Sequence, residues 1–101
     1  MPKTKTTEWD PSDHLQTKEQ MAHYLEAALE DGDSAVIAAA LGDIARSKGM
    51  SAISEATGLG RESLYKALSE NGNPEFSTVL KVVEALGLKL TAVPADSGRA
   101  A

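Results

Sequence analysis

The sequence contains no cysteine and no long run of apolar residues. The absence of cysteine excludes disulfides, thiolate metal sites and thiol nucleophiles, and it makes the chain indifferent to the redox state of its compartment. The longest apolar runs, such as residues 35–41, are far shorter than the roughly 18 residues that a membrane-spanning helix needs. The first residues also lack the apolar centre of a signal peptide. We therefore expect a soluble, cytoplasmic protein.

Aromatic residues and prolines are scarce, with four of each among 101 residues, whereas 42% of the chain is hydrophobic and rich in Ala and Leu. This composition is typical of closely packed helices. The length suits one domain, which can bury about two thirds of its unfolded surface without disulfides or metals. We predict an all-α domain at residues 17–94, preceded by a flexible arm at 1–16 and followed by a disordered tail at 95–101.

Basic residues are outnumbered by acidic ones, 10 to 15, which gives a net charge of −5. DNA-binding proteins usually present a basic surface, so this balance argues against nucleic acid as a partner. The charge is uneven, however: residues 1–33 carry 3 basic and 8 acidic side chains, whereas residues 34–68 carry 4 and 3. A monomer should hold DNA weakly, and we expect dimerisation or a basic partner protein to contribute.

Two amphipathic helices are predicted in the first half of the domain. Thr17 and Gln20 have the spacing of a capping box for the first helix, and Asp33 is placed to cap the second. Apolar residues recur at helical spacing in both, and Gly49 ends the second. The short connection between them predicts a helical hairpin.

The next segment has the pattern of a helix-turn-helix. Ser51 is placed to cap a third helix, and Gly58 can supply the left-handed residue that ends it. A fourth helix is predicted from about Arg61 to Ser69, with leucines on one side and polar residues on the other. This motif usually places its second helix in the major groove of DNA.

The polar side of the fourth helix carries the candidate DNA-binding residues. In its first turn, Arg61 suits guanine and Glu62 suits cytosine, because their side chains match the hydrogen-bonding groups of those bases. The alternative is a solvated helix start with an ordinary ion pair between Glu62 and Lys66. For the asparagines after the helix, turn geometry alone is an equal alternative. The complete set of candidates is Ser51, Gly60, Arg61, Glu62, Ser63, Tyr65, Lys66, Asn71 and Asn73.

A fifth helix is predicted to begin at Ser77 and to end at Gly87. Its expected inner stripe is Val79, Leu80, Val83 and Leu86. Residues 88–93 then alternate with period two and predict a short β-strand. Because no second convincing strand is present, we expect it to pair with the same strand of a second subunit. The candidate dimerisation residues are Leu88, Leu90 and Ala92.

The turn between the third and fourth helices resembles that of the Cro/phage-repressor (Xre-like) helix-turn-helix family. The resemblance rests on Gly58, on the small residue Ser54 four positions before it and on Leu64 six positions after it. It implies a five-helix lambda-repressor-like fold.

A longer resemblance, over about residues 7–94, is to the addiction-module antidote family, the antitoxins of small toxin–antitoxin operons. Four blocks agree with the family in order and spacing: Leu25–Asp33, Ala38–Arg46, Gly60–Leu68 and Asn71–Gly87. The resemblance implies a HigA-like homodimer that binds a small basic toxin of the RelE/ParE-like class, such as a HigB-type RNase, and represses its own operon at a palindromic operator.

Trp9 is the most conspicuous candidate for toxin contact, because a single indole in a polar arm either folds back over the first helices or inserts into a partner. Leu15 and Tyr24 complete the candidate toxin-binding set.

Catalytic and metal-binding signals are weak. Ser12, Asp13 and His14 have the composition of a triad, but adjacent residues rarely converge, and His23 lacks suitable neighbours. We expect no enzymatic activity, no metal and no cofactor. Besides the antitoxin, two functions stay open: a stand-alone phage-type transcriptional repressor, and a protein-interaction domain without DNA binding.

Overall fold

The computed structural model describes residues 15–95, and within this range the chain forms five α-helices. The helices are α1 (Lys18–Asp31), α2 (Ser34–Lys48), α3 (Met50–Thr57), α4 (Arg61–Ala67) and α5 (Phe76–Ala85). The all-α prediction is confirmed for this range. The predicted arm and tail lie almost entirely outside the described residues.

The predicted caps of α1 and α2 are present. The backbone N–H of Gln20 donates to Thr17 Oγ1 at 3.1 Å, and the Gln20 side chain accepts from the backbone N–H of Thr17 at 3.1 Å, which completes the capping box. Asp33 accepts from the backbone N–H of Ala35 at 2.9 Å at the start of α2. Each bond provides a hydrogen-bond partner for a backbone N–H group that would otherwise have none at the start of a helix.

The first two helices form the predicted hairpin, and their contacts show that they run antiparallel. Lys18, at the start of α1, shares a cleft with Arg46 and Lys48 at the end of α2. Farther along, the Tyr24 hydroxyl donates to Asp43 Oδ2 at 2.6 Å. The open end of the hairpin therefore carries basic side chains, whereas its closed end carries the carboxylates on either side of Gly32.

A polar contact ties α1 to α2 at Tyr24. Asp43 accepts from both the Tyr24 hydroxyl and the Arg46 guanidinium. Partial burial of the phenol, and then its hydrogen bond to Asp43, raise the pKa of Tyr24 from 10.0 to about 12. The folded chain therefore holds the phenol proton more tightly than the unfolded chain does.

The raised pKa of Tyr24 predicts that the stability of the fold depends on pH. Because the pKa of Tyr24 is raised in the folded protein, the stabilisation from its protonated phenol is fully present below pH 10 and is lost as the pH rises from 10.0 to about 12. In the Tyr65→Phe variant Tyr24 is the remaining tyrosine, so its phenolate absorbance can be titrated directly. We expect a midpoint near pH 12 in the folded protein. A folded-state midpoint near 10.0, the ordinary tyrosine value, would show that neither burial nor the bond to Asp43 holds the proton.

The start of α3 differs from the prediction. Ser51 does not cap the helix, which begins at Met50. The cap residue is Gly49, which has no side chain to accept a hydrogen bond from the first turn. The cause is packing: Met50 is buried in the core, and Gly49, with φ of 113°, turns the chain directly from α2 into α3. Ser51 thus lies inside the first turn and is exposed.

The buried side of α5 is also shifted from the expected stripe. Leu80 is 45% exposed, whereas Val82 is fully buried beside Val83 and Leu86. The observed stripe is Val79, Val82, Val83 and Leu86, with the spacing i, i+3, i+4, i+7, and Leu80 falls at its edge. The prediction that Leu80 faces the core was therefore wrong. The helix begins at Phe76, whose side chain is 69% exposed.

The predicted C-terminal strand is absent: in the described residues after Gly87 the chain has no regular secondary structure. A strand needs a partner's backbone groups, and no other part of residues 15–95 offers them. Leu88 and Leu90 are partly buried against the core instead, while Ala92 and Val93 are exposed.

The core brings together residues from all five helices. Its largest fully buried side chains are Leu41, Ile44, Ile53, Leu64, Leu86 and Val82. Gly42 of α2 is buried where a β-carbon would collide with the carbonyl oxygen of Leu68, just after α4. Glycine at this position allows the end of α4 to approach α2.

Candidate nucleic-acid interface

Helices α3 and α4 are joined by a three-residue turn at residues 58–60. Gly58 adopts the predicted left-handed conformation, with φ of 77°, and its N–H donates to the carbonyl of Ser54 at 2.9 Å. A side chain in this conformation is strained, which explains glycine at this corner. The turn therefore fixes where α4 begins.

Side-chain hydrogen bonds hold the turn in place. The Ser54 hydroxyl donates to the carbonyl of Leu59 at 2.5 Å, and the Leu59 N–H donates to Thr57 Oγ1 at 3.2 Å. Thr57 Oγ1 also donates to the carbonyl of Ile53 at 2.7 Å. The role of Thr57 was not predicted from the sequence, although a Ser or Thr near a helix end commonly bonds backward to the backbone.

The buried side of α4 is anchored by two leucines, and its polar side faces outward. Leu64 is 1% exposed and Leu68 is 2% exposed. The exposed residues on α4 are Arg61, Glu62, Ser63, Tyr65 and Lys66. The helix ends at Ala67, earlier than predicted, because Leu68, with φ of −97° and ψ of 57°, leaves the helical conformation. The tight turn that follows is closed by the Gly72 N–H donating to the carbonyl of Ser69 at 2.9 Å.

The remaining DNA-binding candidates lie next to α4 or on α3. Gly60 immediately precedes α4 with an ordinary φ of −68°, and a methyl group added there would meet only Ser63 Oγ, at 3.9 Å. Asn71 and Asn73 follow α4 and are exposed, and Ser51 is exposed on α3, which packs against α4.

The charged groups on α4 are available to a ligand. Within residues 15–95 neither Arg61 nor Lys66 has an ion-pair partner, so the ordinary pair between Glu62 and Lys66 is not formed. The basic side chains of α4 are thus held on a fixed helix without forming an ion pair within residues 15–95, although Glu62 lies on the same helix.

A second basic region lies at the open end of the hairpin, in a cleft of about 600 Å³. Lys18, Arg46 and Lys48 line it, and the Ser47 hydroxyl donates to the carbonyl of Leu15 at 2.5 Å beside them. Because Lys48 is the last residue of α2, this cleft adjoins the start of α3.

The three candidate toxin-binding residues have different positions. Trp9 lies outside the described residues. Leu15 is 3% exposed in the core, so it has almost no surface to offer a partner. Tyr24 is partly buried and is engaged with Asp43.

The residues considered for a triad or a metal site are not brought together in the described range. Ser12, Asp13 and His14 lie outside it. His23 is on the solvent side of α1, with its Nδ1 3.9 Å from a Glu26 carboxylate oxygen. Among residues 15–95 no three His, Asp or Glu side chains are grouped to hold a metal ion.

None of the helices within residues 15–95 combines the length and the apolar character that crossing a membrane requires.

Comparison with known proteins decides the family. A family model described as "Probable addiction module antidote protein" matches residues 5–94. The chain belongs to the addiction module antidote family. It is also 46% identical over 82 residues to a protein of Haemophilus influenzae described as uncharacterized, and the match covers 81% of this chain and 84% of that protein. No solved structure matches.

Membership in the antidote family points to the antitoxin half of a toxin–antitoxin module, with a toxin as partner. The match includes all five helices and reaches Pro94. The predicted resemblance to this family is thereby confirmed.

Proposed function

We propose that the chain is a HigA-like antitoxin that neutralises a basic toxin of the RelE/ParE-like, HigB-type class and represses its own operon. In this proposal α3 and α4 form an Xre-like helix-turn-helix, and two copies read a palindromic operator. The protein acts in the cytoplasm by binding, without catalysis and without a cofactor.

The observation that carries the DNA-binding part is the division of α4 into a buried and an exposed side. Leu64 and Leu68 hold the helix against the core, and a helix held in this way can present its other side in a fixed orientation. Arg61 and Glu62, in the first turn, then read base edges. The other exposed candidates, Ser51, Ser63, Tyr65, Lys66, Asn71 and Asn73, contact the sugar-phosphate backbone or neighbouring bases.

The distribution of charge supports DNA binding by an acidic chain. Lys18, Arg46 and Lys48 gather at the open end of the hairpin, next to the start of α3. The hairpin's carboxylates at Asp31 and Asp33 lie at the opposite end. Arg46 is paired with Asp43, whereas Lys18 and Lys48 have no ion-pair partner within residues 15–95, so these two lysines supply the free positive charge at this end of the hairpin.

A homodimer is part of the proposal, because one short helix buries too little surface for tight operator binding. Its support is the apolar surface after α5. Val93 is 72% exposed and, with Leu88, Leu90 and part of α1, lines a groove of about 550 Å³. Burying this surface between two copies, with Ala92 at the contact, removes it from water.

The first experiment titrates purified protein onto labelled DNA from the promoter of its own gene at two salt concentrations. We expect binding that weakens steeply with salt, because each neutralised phosphate releases counterions. Absence of binding at low salt would remove the DNA-binding part and favour a protein-interaction domain.

The second experiment tests the antitoxin part against a stand-alone repressor. The protein is co-expressed with the product of the adjacent gene, and the purified pair is examined by gel filtration. A stable complex with a small basic protein is expected, whereas promoter binding without such a partner would favour the repressor.

Gly60 provides a test of close approach to DNA. An added methyl group meets only Ser63 Oγ, at 3.9 Å, so Gly60→Ala should leave stability nearly unchanged. If the backbone at Gly60 lies against a phosphate, the same change should weaken operator binding several-fold. Thermal unfolding and DNA titration of the variant check both expectations, and unchanged DNA affinity would exclude Gly60 from the interface.

A further inference from the structure

A groove between α1 and α2 lies at the closed end of the hairpin, away from Lys18 and Lys48. Its volume is about 510 Å³. Alanines from both helices line it, including Ala27 of α1 and Ala39 of α2, together with Val36, which is 41% exposed. These short side chains leave an apolar hollow that a larger side chain can enter.

Carboxylates surround this hollow. Asp31 lies at the end of α1, Asp33 at the start of α2, and Glu70 in the turn that follows α4. Within residues 15–95 none of the three has an ion-pair partner, although Asp33 also accepts the capping hydrogen bond from the Ala35 N–H. Asp43 also lines the groove, but it already accepts from the Tyr24 hydroxyl and the Arg46 guanidinium.

We propose that this groove, which we call the acidic groove, is the docking site for a basic segment of the partner protein. The occupant has an apolar side chain that packs on Val36 and the alanines, with Lys or Arg side chains on either side that pair with Asp31, Asp33 and Glu70. This inference rests on the proposed antitoxin function, and the groove includes one of the residues that the sequence offered for toxin contact, Tyr24.

Charge complementarity selects the occupant. An acidic or neutral segment would leave three carboxylates unpaired beside an apolar surface, which disfavours docking. A basic segment gains paired charges and apolar contact together, and long-range attraction speeds its association. A second copy of this chain would present its own acidic excess to the groove.

The test uses the full chain and the purified basic protein encoded beside it, with affinity measured by calorimetry. The groove variant is Asp31→Asn/Asp33→Asn/Glu70→Gln. Asparagine at position 33 can still cap α2, so the fold should persist, which circular dichroism checks. A second variant, Val36→Lys, leaves the carboxylates intact and places a positive charge at the apolar wall.

The matched control is Glu19→Gln/Glu55→Gln/Glu84→Gln, which removes the same amount of charge from exposed positions outside both this groove and the proposed dimer groove. We expect the groove variant and Val36→Lys each to weaken the complex by about tenfold or more, with a smaller change in the control.

The possible results separate the two proposals. If wild-type protein binds and the groove variants bind equally well, the acidic groove is excluded while the antitoxin function stands. If the control loses as much affinity as the groove variants, general charge attraction accounts for the loss, and the acidic groove is excluded as the docking site. If the wild-type protein does not bind at all, the antitoxin function fails, and the docking proposal fails with it.

Discussion

Arg61→Ala is expected to weaken binding to operator DNA by about 1–3 kcal/mol, because a bidentate arginine–guanine contact contributes that much discrimination. This corresponds to a roughly 5- to 150-fold increase in Kd. The loss should be concentrated at one base pair of each half-site, where the variant should become indifferent to sequence. Measuring Kd against operators mutated one base pair at a time checks both the size and the position of the effect.

Two further variants distinguish base reading from simple charge. Arg61→Lys keeps the positive charge but loses the planar pair of donors, so it should behave nearly as poorly as Arg61→Ala. Lys81→Ala removes a positive charge from an exposed position on α5 and should have little effect. A uniform loss of affinity across all operators, restored by Arg61→Lys, would identify Arg61 as a phosphate contact instead.

Gly42→Ala is expected to destabilise the fold, although alanine is the better helix former. In an open helix interior the change would stabilise by about 1 kcal/mol. Here the new β-carbon would collide with the carbonyl oxygen of Leu68, which is backbone and cannot rotate away. The end of α4 must then move off α2, and overpacking of this kind costs about 1–3 kcal/mol or more. We expect a net loss of stability.

Chemical denaturation measures whether Gly42→Ala lowers or raises the free energy of unfolding, and the prediction depends on this sign. Gly60→Ala is the matched control, since the same added methyl group meets no close neighbour. Increased stability of Gly42→Ala would show that α2 and the end of α4 do not pack this closely. Because Leu68 directly follows α4, a destabilised Gly42→Ala should also bind operator DNA less tightly at temperatures where it is still folded.

Local signals in the sequence predicted the helices well. The capping box at Thr17, the cap at Asp33 and the left-handed turn at Gly58 each depend on residues a few positions apart. Such signals are readable because the physical cause lies in the same short segment. For the same reason, the division of α4 into leucines and polar residues was visible from spacing alone.

Features that depend on distant parts of the chain were not predictable in this way. Burial of Met50 moved the start of α3, and the choice between Leu80 and Val82 was made by the helices that pack against α5. The strand after Gly87 was predicted from alternation, but alternation cannot supply the partner that a strand requires. The acidic groove joins α1 and α2 with Glu70, and this juxtaposition exists only in the folded chain.

The family match and the fold bear on different parts of the function. The match to the antidote family covers residues 5–94 and points to a toxin as partner. The exposed side of α4 supports the separate proposal that the same chain reads DNA. In the two proposals the partner and the DNA contact different residues, and the two sets adjoin where Glu70 of the acidic groove precedes Asn71.

Whether α4 reads the operator can be tested directly by a chemical-shift titration. Backbone amide signals of labelled protein are followed as promoter DNA is added at low salt. We predict the largest changes from Gly60 to Lys66, with smaller changes at Asn71 and Asn73 and almost none at Asp31 and Asp33. Saturable binding whose changes spare α4 would contradict a reading role for this helix.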